Sequence, residues 1–531
     1  MTDMEKIKAG KTSLGIEFGS TRIKAVLIDF KGKILATGFY DWRNSFVDGI
    51  WTYSIDEIHA GLRGCYSSLR KSVQDKYGVN PDTYGAIGVS AMMHGIMAFD
   101  KKGKILTHFQ TWRNSNTQVA ADKLSELFQF NIPLRWTVSH LYQFAMDDEQ
   151  FMRRIDYVTV LSSYIHWKLT GERVVGIGDA SGIFPINSHD MDYDTKMMMK
   201  FECLLAKKQY PWELKQILPR VLTAGEYAGK LTVEGAAFLD ESGTLKAGIP
   251  FCPPEGDAGT GMVATNSVTV GTGNVSAGTS TFAMIVLEKP LSKVYKEIDM
   301  VATPMGYPVA MSHANNGTSD INAWMELFGE YSELMGISID KERIFEKLFT
   351  NSLKGDPDCG NMLSYGYYSG EGIIGLQEGR PIFIRKPESR FTLANFVRTH
   401  LYSSLCAVKI GIDILMKDEN VEVKQLTGHG GFFKTPGVGQ RYLAAAVDTP
   451  VLVRDTADEG GAWGIALLAA YLICSNNRQI SLADYLRDEV FSGRQGTLVE
   501  PNEEEVKGFE KYMENYRGAI SVEEEAVEYI R

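Results

Sequence analysis

The stretch Glu17-Phe18-Gly19-Ser20-Thr21, followed by Ile23-Lys24-Ala25-Val26-Leu27-Ile28-Asp29, returns in altered form almost half a chain later. The second copy is Ser276-Ala277-Gly278-Thr279-Ser280, followed by Thr281-Phe282-Ala283-Met284-Ile285-Val286. Each reads as strand, tight turn, strand. The glycine lets the backbone bend, and the N–H groups and hydroxyls of the turn can face an anion. One such turn is ordinary hairpin chemistry. Two of them, with Gly256-Asp257-Ala258-Gly259 between, suggest a duplicated domain gripping a polyphosphate from both sides, with a carboxylate at the cleft.

A chain of 531 residues has material for two large domains or more, each with its own core. Its 44% hydrophobic and 23% charged residues are the composition of a soluble globular protein. The net charge of −11 argues against a nucleic-acid partner, because phosphate backbones need clustered Lys and Arg. Met1 to Lys11 has no apolar core of the secretory-signal kind, and the longest apolar run, near Ala462–Cys474, is too short to cross a bilayer. Cys65, Cys203, Cys252, Cys359, Cys406 and Cys474 include no CxxC pair, so free thiols in a reducing cytosol are expected.

Strands are expected at Thr12–Phe18, Arg22–Asp29 and Ile34–Trp42. A helix should follow Ser54, where Ser54-Ile55-Asp56-Glu57 forms a capping box and Ile55, Ile58, Leu62, Leu69 and Val73 give a buried face. A strand at Gly85–Ser90 and a hairpin over Gly95–Leu106, turning on Lys101-Lys102-Gly103-Lys104, come next. Three antiparallel strands, a helix and a further strand is the order of ribonuclease-H-like ATPase domains. The second half repeats it loosely, with strands at Val268–Val270, Asn274–Ala277 and Phe282–Leu287 and helices at Ser319–Gly329, Leu393–Lys417 and Gly461–Ile473. The boundary is placed near Asn266, giving domains 1–266 and 267–531. The tail from Asn502, with Phe509, Tyr512 and Tyr516 among its charges, reads as a surface helix.

Asp257 is the sharpest candidate for chemistry. It precedes the small-residue run Ala258-Gly259-Thr260-Gly261, which suits a helix packed closely on a neighbour. At a helix N-terminus the dipole holds a carboxylate ionised, ready to accept a proton from a hydroxyl that attacks a γ-phosphate. A plain N-cap aspartate is the other reading. Met92-Met93-His94-Gly95 closes a strand, and His94 there either donates to a sugar hydroxyl or bonds to backbone. Trp112-Arg113-Asn114-Ser115-Asn116 suits stacking and hydrogen bonding to a polyol, and equally suits a helix start. Leu426–Lys434 is a strand ending in Gly430-Gly431, where backbone either approaches a flat ring such as adenine or simply turns.

These pieces occur together and in order as in the FGGY family of carbohydrate kinases, and the resemblance spans nearly the whole chain. The first hairpin resembles the family's first phosphate loop and Ser276–Ser280 the second. Met93-His94-Gly95, with Phe99-Asp100 and Gly103, resembles the substrate segment of the xylulokinase and ribulokinase branch. Tyr164–Glu172 with Asp179-Ala180-Ser181-Gly182 is similar to a further block, and Pro254-Glu255-Gly256-Asp257-Ala258 to the block that carries the catalytic base. Gly430-Gly431 and Glu459-Gly460-Gly461-Ala462 resemble the adenine-side blocks.

The resemblance implies two α/β, actin- and hexokinase-like domains flanking a cleft, and phosphorylation of a ketopentose, L-ribulose or D-xylulose, by ATP with Mg²⁺. Closure on the cleft would exclude water in favour of the sugar. Asp257 would be the base, with Met93, His94, Trp112 and Asn114 toward the sugar. Gly19, Ser20, Thr21, Lys24, Gly278, Thr279, Ser280, Gly430 and Gly431 would hold the nucleotide, and Glu17 with Asp257 the metal. The implied setting is cytoplasmic, with a small sugar as partner, no nucleic acid or membrane, and a homodimer among the possible assemblies. Glu17 stands where the family usually has Asp. Asn114 and Asn116 replace the usual Asp and Arg, His140 and Gln143 the usual Lys and Trp, and extra residues fall between Gly431 and Tyr442. The substituted Trp112 segment inclines the choice toward L-ribulose. Another sugar or polyol of the family, or a non-catalytic sensor on the same fold, are the alternatives.

Overall fold

The computed structural model describes residues 1–454 and 460–530. The chain divides into two compact units. The first comprises Met1–Val268, Met300–Val309 and Glu459–Gly493, and the second Thr269–Asp299, Ala310–Asp458 and Arg494–Arg531. A single cut after residue 266 assigns 460–493 to the C-terminal half, whereas this segment packs into the first unit.

In the first unit β1 (Thr12–Phe18), β2 (Arg22–Asp29) and β3 (Ile34–Asp41) form an antiparallel meander. β4 (Ala86–Ala91) runs parallel to β1, and the short β5 (Glu255–Gly256) parallel to β4, so the order is β5-β4-β1-β2-β3. Helix α1 (Ile55–Tyr77) starts at the Ser54/Glu57 capping box and stops at Gly78, whose φ of 69° ends the helical path. It buries Ile58, Leu62, Cys65, Leu69 and Val73 against β2 and β3. The approach is tight: a Cβ on Gly38 would sit 2.2 Å from the Leu69 nitrogen.

Alternation along β1 decides what faces the other side. Helix α2 (Asp257–Ala264) continues directly from β5, and α3 (Gly460–Arg478) packs on β1, β2, β4 and α2. A Cβ on Gly15 would sit 2.3 Å from the Ala462 carbonyl, so Gly15 faces α3 and Glu17, two residues on, shares that face. The small-residue run of α2 packs as closely as its composition suggests, since a Cβ on Gly464 would sit 2.0 Å from the Thr260 carbonyl.

The second unit repeats the plan. β6 (Thr272–Ala277) and β7 (Thr281–Val286) form a hairpin, followed by β8 (Pro308–Ala314), which belongs to this unit from Ala310 on, β9 (Gln425–His429) parallel to β6, β10 (Val451–Arg454) parallel to β9, and β11 (Gly496–Val499) antiparallel to β10. Their order is β8-β7-β6-β9-β10-β11. The sequence β3-β2-β1-β4-β5 of the first sheet thus recurs as β8-β7-β6-β9-β10. The duplication seen in two turns is a duplication of sheet topology.

One of the expected elements differs from the structure and two hold with additions. Val268–Val270 is not a strand, because the chain turns at Asn266 (φ 55°) and again at Gly271 (φ 78°). The hairpin over Gly95–Leu106 forms as expected, with Asp100 capping the Lys101–Lys104 turn, Phe99 bridged to Ile105 and the Leu106 N–H on Ala98 O at 2.8 Å, and Met97–Phe99 pairs in addition with Tyr157–Thr159. The tail helix Glu503–Gly518 is a surface helix as expected, with one face exposed; its other face buries Phe509, Tyr512, Met513 and Tyr516, and Glu505 pairs with Arg398 at 3.1 Å and Arg441 at 2.6 Å.

Candidate active site

Both glycine-hydroxyl hairpins have their turn carbonyls occupied by the scaffold. In the first, Gly19 O accepts from Trp42 Nε1 at 2.7 Å, Ser20 O from the Tyr53 hydroxyl at 2.5 Å, and Thr21 O from the Trp42 N–H at 3.2 Å. In the second, Gly278 O accepts from the Thr318 N–H at 2.8 Å and hydroxyl at 3.0 Å, Thr279 O from the Gly317 N–H at 2.8 Å, and Ser280 O from the Gly278 N–H at 3.0 Å. With the acceptors spent inward, what such a turn offers outward is N–H and hydroxyl groups, the chemistry that suits phosphate oxygens.

The carboxylates Glu17 and Asp257 come near one another in the first unit. Glu17 Oε2 accepts the Ala462 N–H at 3.0 Å, at the start of α3, and Lys24 is its cross-strand partner on β2. A Cβ on Gly461 would sit 2.2 Å from Glu17 Oε1, so only glycine admits this carboxylate. Burial, then the Asp257 charge, push Glu17 up to about 7, against the pull of the Ala462 N–H and Lys24. Asp257 is the first residue of α2, and its Oδ1 accepts the Met93 N–H at 3.1 Å. Its surface stays open to solvent, while the protein packed around it raises its pKa against the Met93 and α2 amides. Among the described residues no group of three or more His, Cys, Asp or Glu could hold a metal. Two carboxylates still suit Mg²⁺, which keeps waters and takes phosphate oxygens to complete its shell.

Met93-His94-Gly95 leaves the end of β4 with His94 at φ 73° and Gly95 at φ 81°. A Cβ on Gly95 would meet the Gln110 carbonyl at 2.1 Å. The buried His94 ring lies near-parallel to Trp136, centroids 6.4 Å apart, and a Cβ on Gly182 would come within 2.6 Å of its Nδ1. The Asp179–Gly182 block therefore abuts the Met93–Gly95 block.

Asn114 is placed differently from expectation. Its Nδ2 donates to Trp51 O at 2.9 Å and Thr111 O at 3.0 Å, and its Oδ1 accepts the Trp51 N–H at 2.9 Å. Both amide hydrogens go to backbone, so Asn114 braces the Ile50–Thr52 strand and offers no donor to a polyol. Trp112 is exposed and donates from Nε1 to Ser20 Oγ at 3.3 Å, and Asn116 is exposed. His140 is buried within the helix Thr137–Met146, where burial lowers it to about 3 and keeps it neutral, while Gln143 on the same helix bonds Asp147 at 3.0 Å.

In the second unit Gly430 has φ 98° and approaches β6, with a Cβ there 2.6 Å from the Ala277 carbonyl, next to Gly278. Gly431 has open space where a side chain would project. Burial lowers His429 to about 4, and its Nε2 contacts Asn274 Nδ2 at 3.2 Å. Of the block expected on the adenine side, Glu459 lies outside the described residues, while Gly461 and Ala462 pack on Glu17.

Two carboxylates escape a reading by spacing. Glu255 accepts the N–H groups of Gly178 at 3.2 Å and Asp179 at 2.9 Å, tying β5 to the segment Ile177–Ala180. Burial, then the Asp179 charge, push it up to about 8. Asp179, bonded by the Ser162 hydroxyl, is pushed by burial up to about 7. Both stand inside quoted motifs, but 76 residues apart nothing local announces that they meet.

Residues 12–264 match the N-terminal domain model of the FGGY family of carbohydrate kinases, and residues 273–473 its C-terminal domain model. A xylulose kinase of Haemophilus influenzae is 21% identical, covering 96% of this chain and 99% of that protein. A glycerol kinase of Thermococcus kodakarensis is also 21% identical, over 58% of this chain and 60% of its own. Among solved structures, xylulose kinase from Lactobacillus acidophilus superposes with TM-score 0.78 at 14% identity, covering 97% of this chain and 99% of that one. Gluconate kinase from Lactobacillus acidophilus gives 0.76 at 16%, covering 95% and 97%. At such identities the structural likeness is a likeness of fold.

Proposed function

The chain belongs to the FGGY family of carbohydrate kinases, and from that premise we propose that it transfers the γ-phosphoryl group of ATP to a hydroxyl of a ketopentose, D-xylulose first. Full-length similarity to a xylulose kinase supports this order. The inclination toward L-ribulose rested on the Trp112 segment, and it weakens once Asn114 is a brace.

The observation that carries the reading is Asp257 at the start of α2, bonded to the Met93 amide beside His94. Asp257 takes the proton of the attacking hydroxyl, and the Met93 N–H holds its carboxylate in place. His94 hydrogen-bonds the sugar. In the first unit Ser20 and Thr21 give N–H and hydroxyl groups to phosphate oxygens, and in the second Thr279 and Ser280 do so; Gly19 and Gly278 let each turn form, their own N–H groups closing it on Arg22 O and Ser280 O, and Gly430 and Gly431 suit the nucleoside. Glu17 and Asp257 would hold Mg²⁺, which when bound neutralises charge on the phosphates. Loose phosphoryl transfer asks mainly for positioning, which is what these backbone contacts supply. All six cysteines are free, and no helix among the described residues is long and apolar enough to cross a membrane. A reducing cytoplasm fits the thiols.

ADP release measured by a coupled assay over D-xylulose, L-xylulose, D-ribulose, L-ribulose, gluconate and glycerol tests the proposal. The highest kcat/KM should fall on D-xylulose. A best substrate outside the ketopentoses would refute it.

A further inference from the structure

The two hairpins are braced by different means. In the second unit the turn carbonyls are met by backbone and one hydroxyl. In the first, two of them are met by aromatic side chains: Gly19 O by Trp42 Nε1 at 2.7 Å and Ser20 O by the Tyr53 hydroxyl at 2.5 Å. The rings of Trp42 and Tyr53 stack with centroids 4.0 Å apart and planes 23° apart, and Phe18 meets Trp42 edge-on at 5.7 Å. Both are buried, so neither donor is free to swing away. Trp112 reaches the same turn from another loop, donating to Ser20 Oγ at 3.3 Å.

Peptide planarity turns this bracing into aim. In a trans peptide the carbonyl and the following N–H point in opposite directions. Fixing Gly19 O on Trp42 directs the Ser20 N–H the other way, and fixing Ser20 O on Tyr53 directs the Thr21 N–H. The turn Gly19-Ser20-Thr21 is flexible by composition, and without these donors each peptide could flip and offer phosphate a carbonyl.

We propose that Trp42 and Tyr53 are positioning residues for phosphoryl transfer, aiming the Ser20 and Thr21 N–H groups at phosphate, while Trp112 orients the Ser20 hydroxyl. The inference rests on the reading of this hairpin as a phosphate site. Tyr53 also follows the Ile50–Thr52 strand that Asn114 grips at Trp51, so the loop carrying Trp112 and Asn114 holds the hairpin by two routes. Within the first unit the Trp112–Asn114 loop and the Gly19–Thr21 turn are one braced assembly.

Tyr53→Phe keeps the stacked ring and removes a single donor. It should lower kcat about 10-fold, leave the sugar KM within about twofold, and weaken binding of ADP with aluminium fluoride in parallel with kcat, while ADP alone binds as before. Trp112→Phe, at an exposed position, should lower kcat about threefold by the same pattern. Thermal melting of each variant identifies a fold that has merely loosened. Unchanged kcat and unchanged fluoroaluminate affinity in Tyr53→Phe would overturn the inference, as would a loss of kcat matched by an equal rise in both KM values. Asp257→Asn separates the levels. If it is crippled while Tyr53→Phe is normal, the positioning role alone falls. If both turn over normally, the reading of the site falls and takes the positioning role with it.

Discussion

The Asp257 carboxylate accepts a hydrogen bond from the Met93 amide at 3.1 Å, joining residues 164 positions apart. One belongs to the first turn of α2, the other to the segment that leaves β4 for His94. The proposed base and the proposed sugar segment are therefore held as one piece, and displacing either displaces both.

Asp257→Asn keeps the oxygen that meets Met93 and removes the basicity. It should lower kcat by roughly 10²–10⁴-fold with little change in nucleotide affinity. Steady-state rates and calorimetric ADP binding check it, and wild-type turnover would leave Asp257 as a helix-start residue only.

Glu17→Gln keeps an acceptor for the Ala462 N–H but loses the charge. Glu17→Asp keeps the charge and withdraws it by one methylene. The Gln variant should be nearly inactive at any Mg²⁺ concentration, and the Asp variant partly active with a raised Mg²⁺ requirement. Equal, near-normal rates for the two would put Glu17 outside the metal site.

His94 sits at φ 73°, so the informative replacement is Asn, which tolerates that region. His94→Asn should raise the sugar KM by about 10-fold or more, because buried hydroxyls lose their partner, and leave the ATP KM unchanged. An unchanged sugar KM would place the pocket elsewhere.

Asn114→Ala strips the Trp51 backbone of its donor and its acceptor. The expected cost is about 1–3 kcal/mol in denaturant unfolding, with the ranking among pentuloses unaltered. A changed ranking with unchanged stability would return Asn114 to the sugar.

Glu371 is buried in the second unit, where its Oε2 accepts the Asn316 N–H and Nδ2, each at 3.2 Å, and burial pushes it up to about 7. Its folded pKa lies above the unfolded one, near 4.5, so the native state binds more protons between those values. Stability therefore falls as pH rises from about 4.5 to about 7. Glu371→Gln should flatten that slope, gaining up to about 3 kcal/mol relative to wild type across the window. Parallel unfolding curves for the two proteins at pH 4.5, 6 and 7.5 would contradict it.

What the sequence made legible follows the range of the forces involved. The capping box at Ser54 and Glu57, the strands of both hairpins and the helix start at Asp257 are local patterns, and each appears within a residue or two of its expected place. Asn114 misled because its partners, Trp51 and Thr111, are backbone groups that no side-chain motif announces. Nothing in the local pattern singles out Tyr53 or Trp42, and only the contacts of their polar tips reveal the brace. Glu255 and Asp179 were visible singly and invisible as neighbours. The tail helix was legible because Phe509, Tyr512 and Tyr516 recur at helical spacing among its acidic residues.

Helix α3 covers one face of the first sheet with residues from near the other end of the chain. A ribosome has then made everything up to β5 and α2 well before it makes the layer that closes over Gly15 and Glu17. At about 5–20 residues per second, the wait between residue 268 and residue 493 is roughly tens of seconds. During that interval the face of the sheet that α3 packs against, Gly15 included, lacks its cover. A fragment ending at 268 would lack that layer permanently: it holds Asp257 and the Met93 amide that Asp257 bonds, but not the Ala462 N–H that meets Glu17.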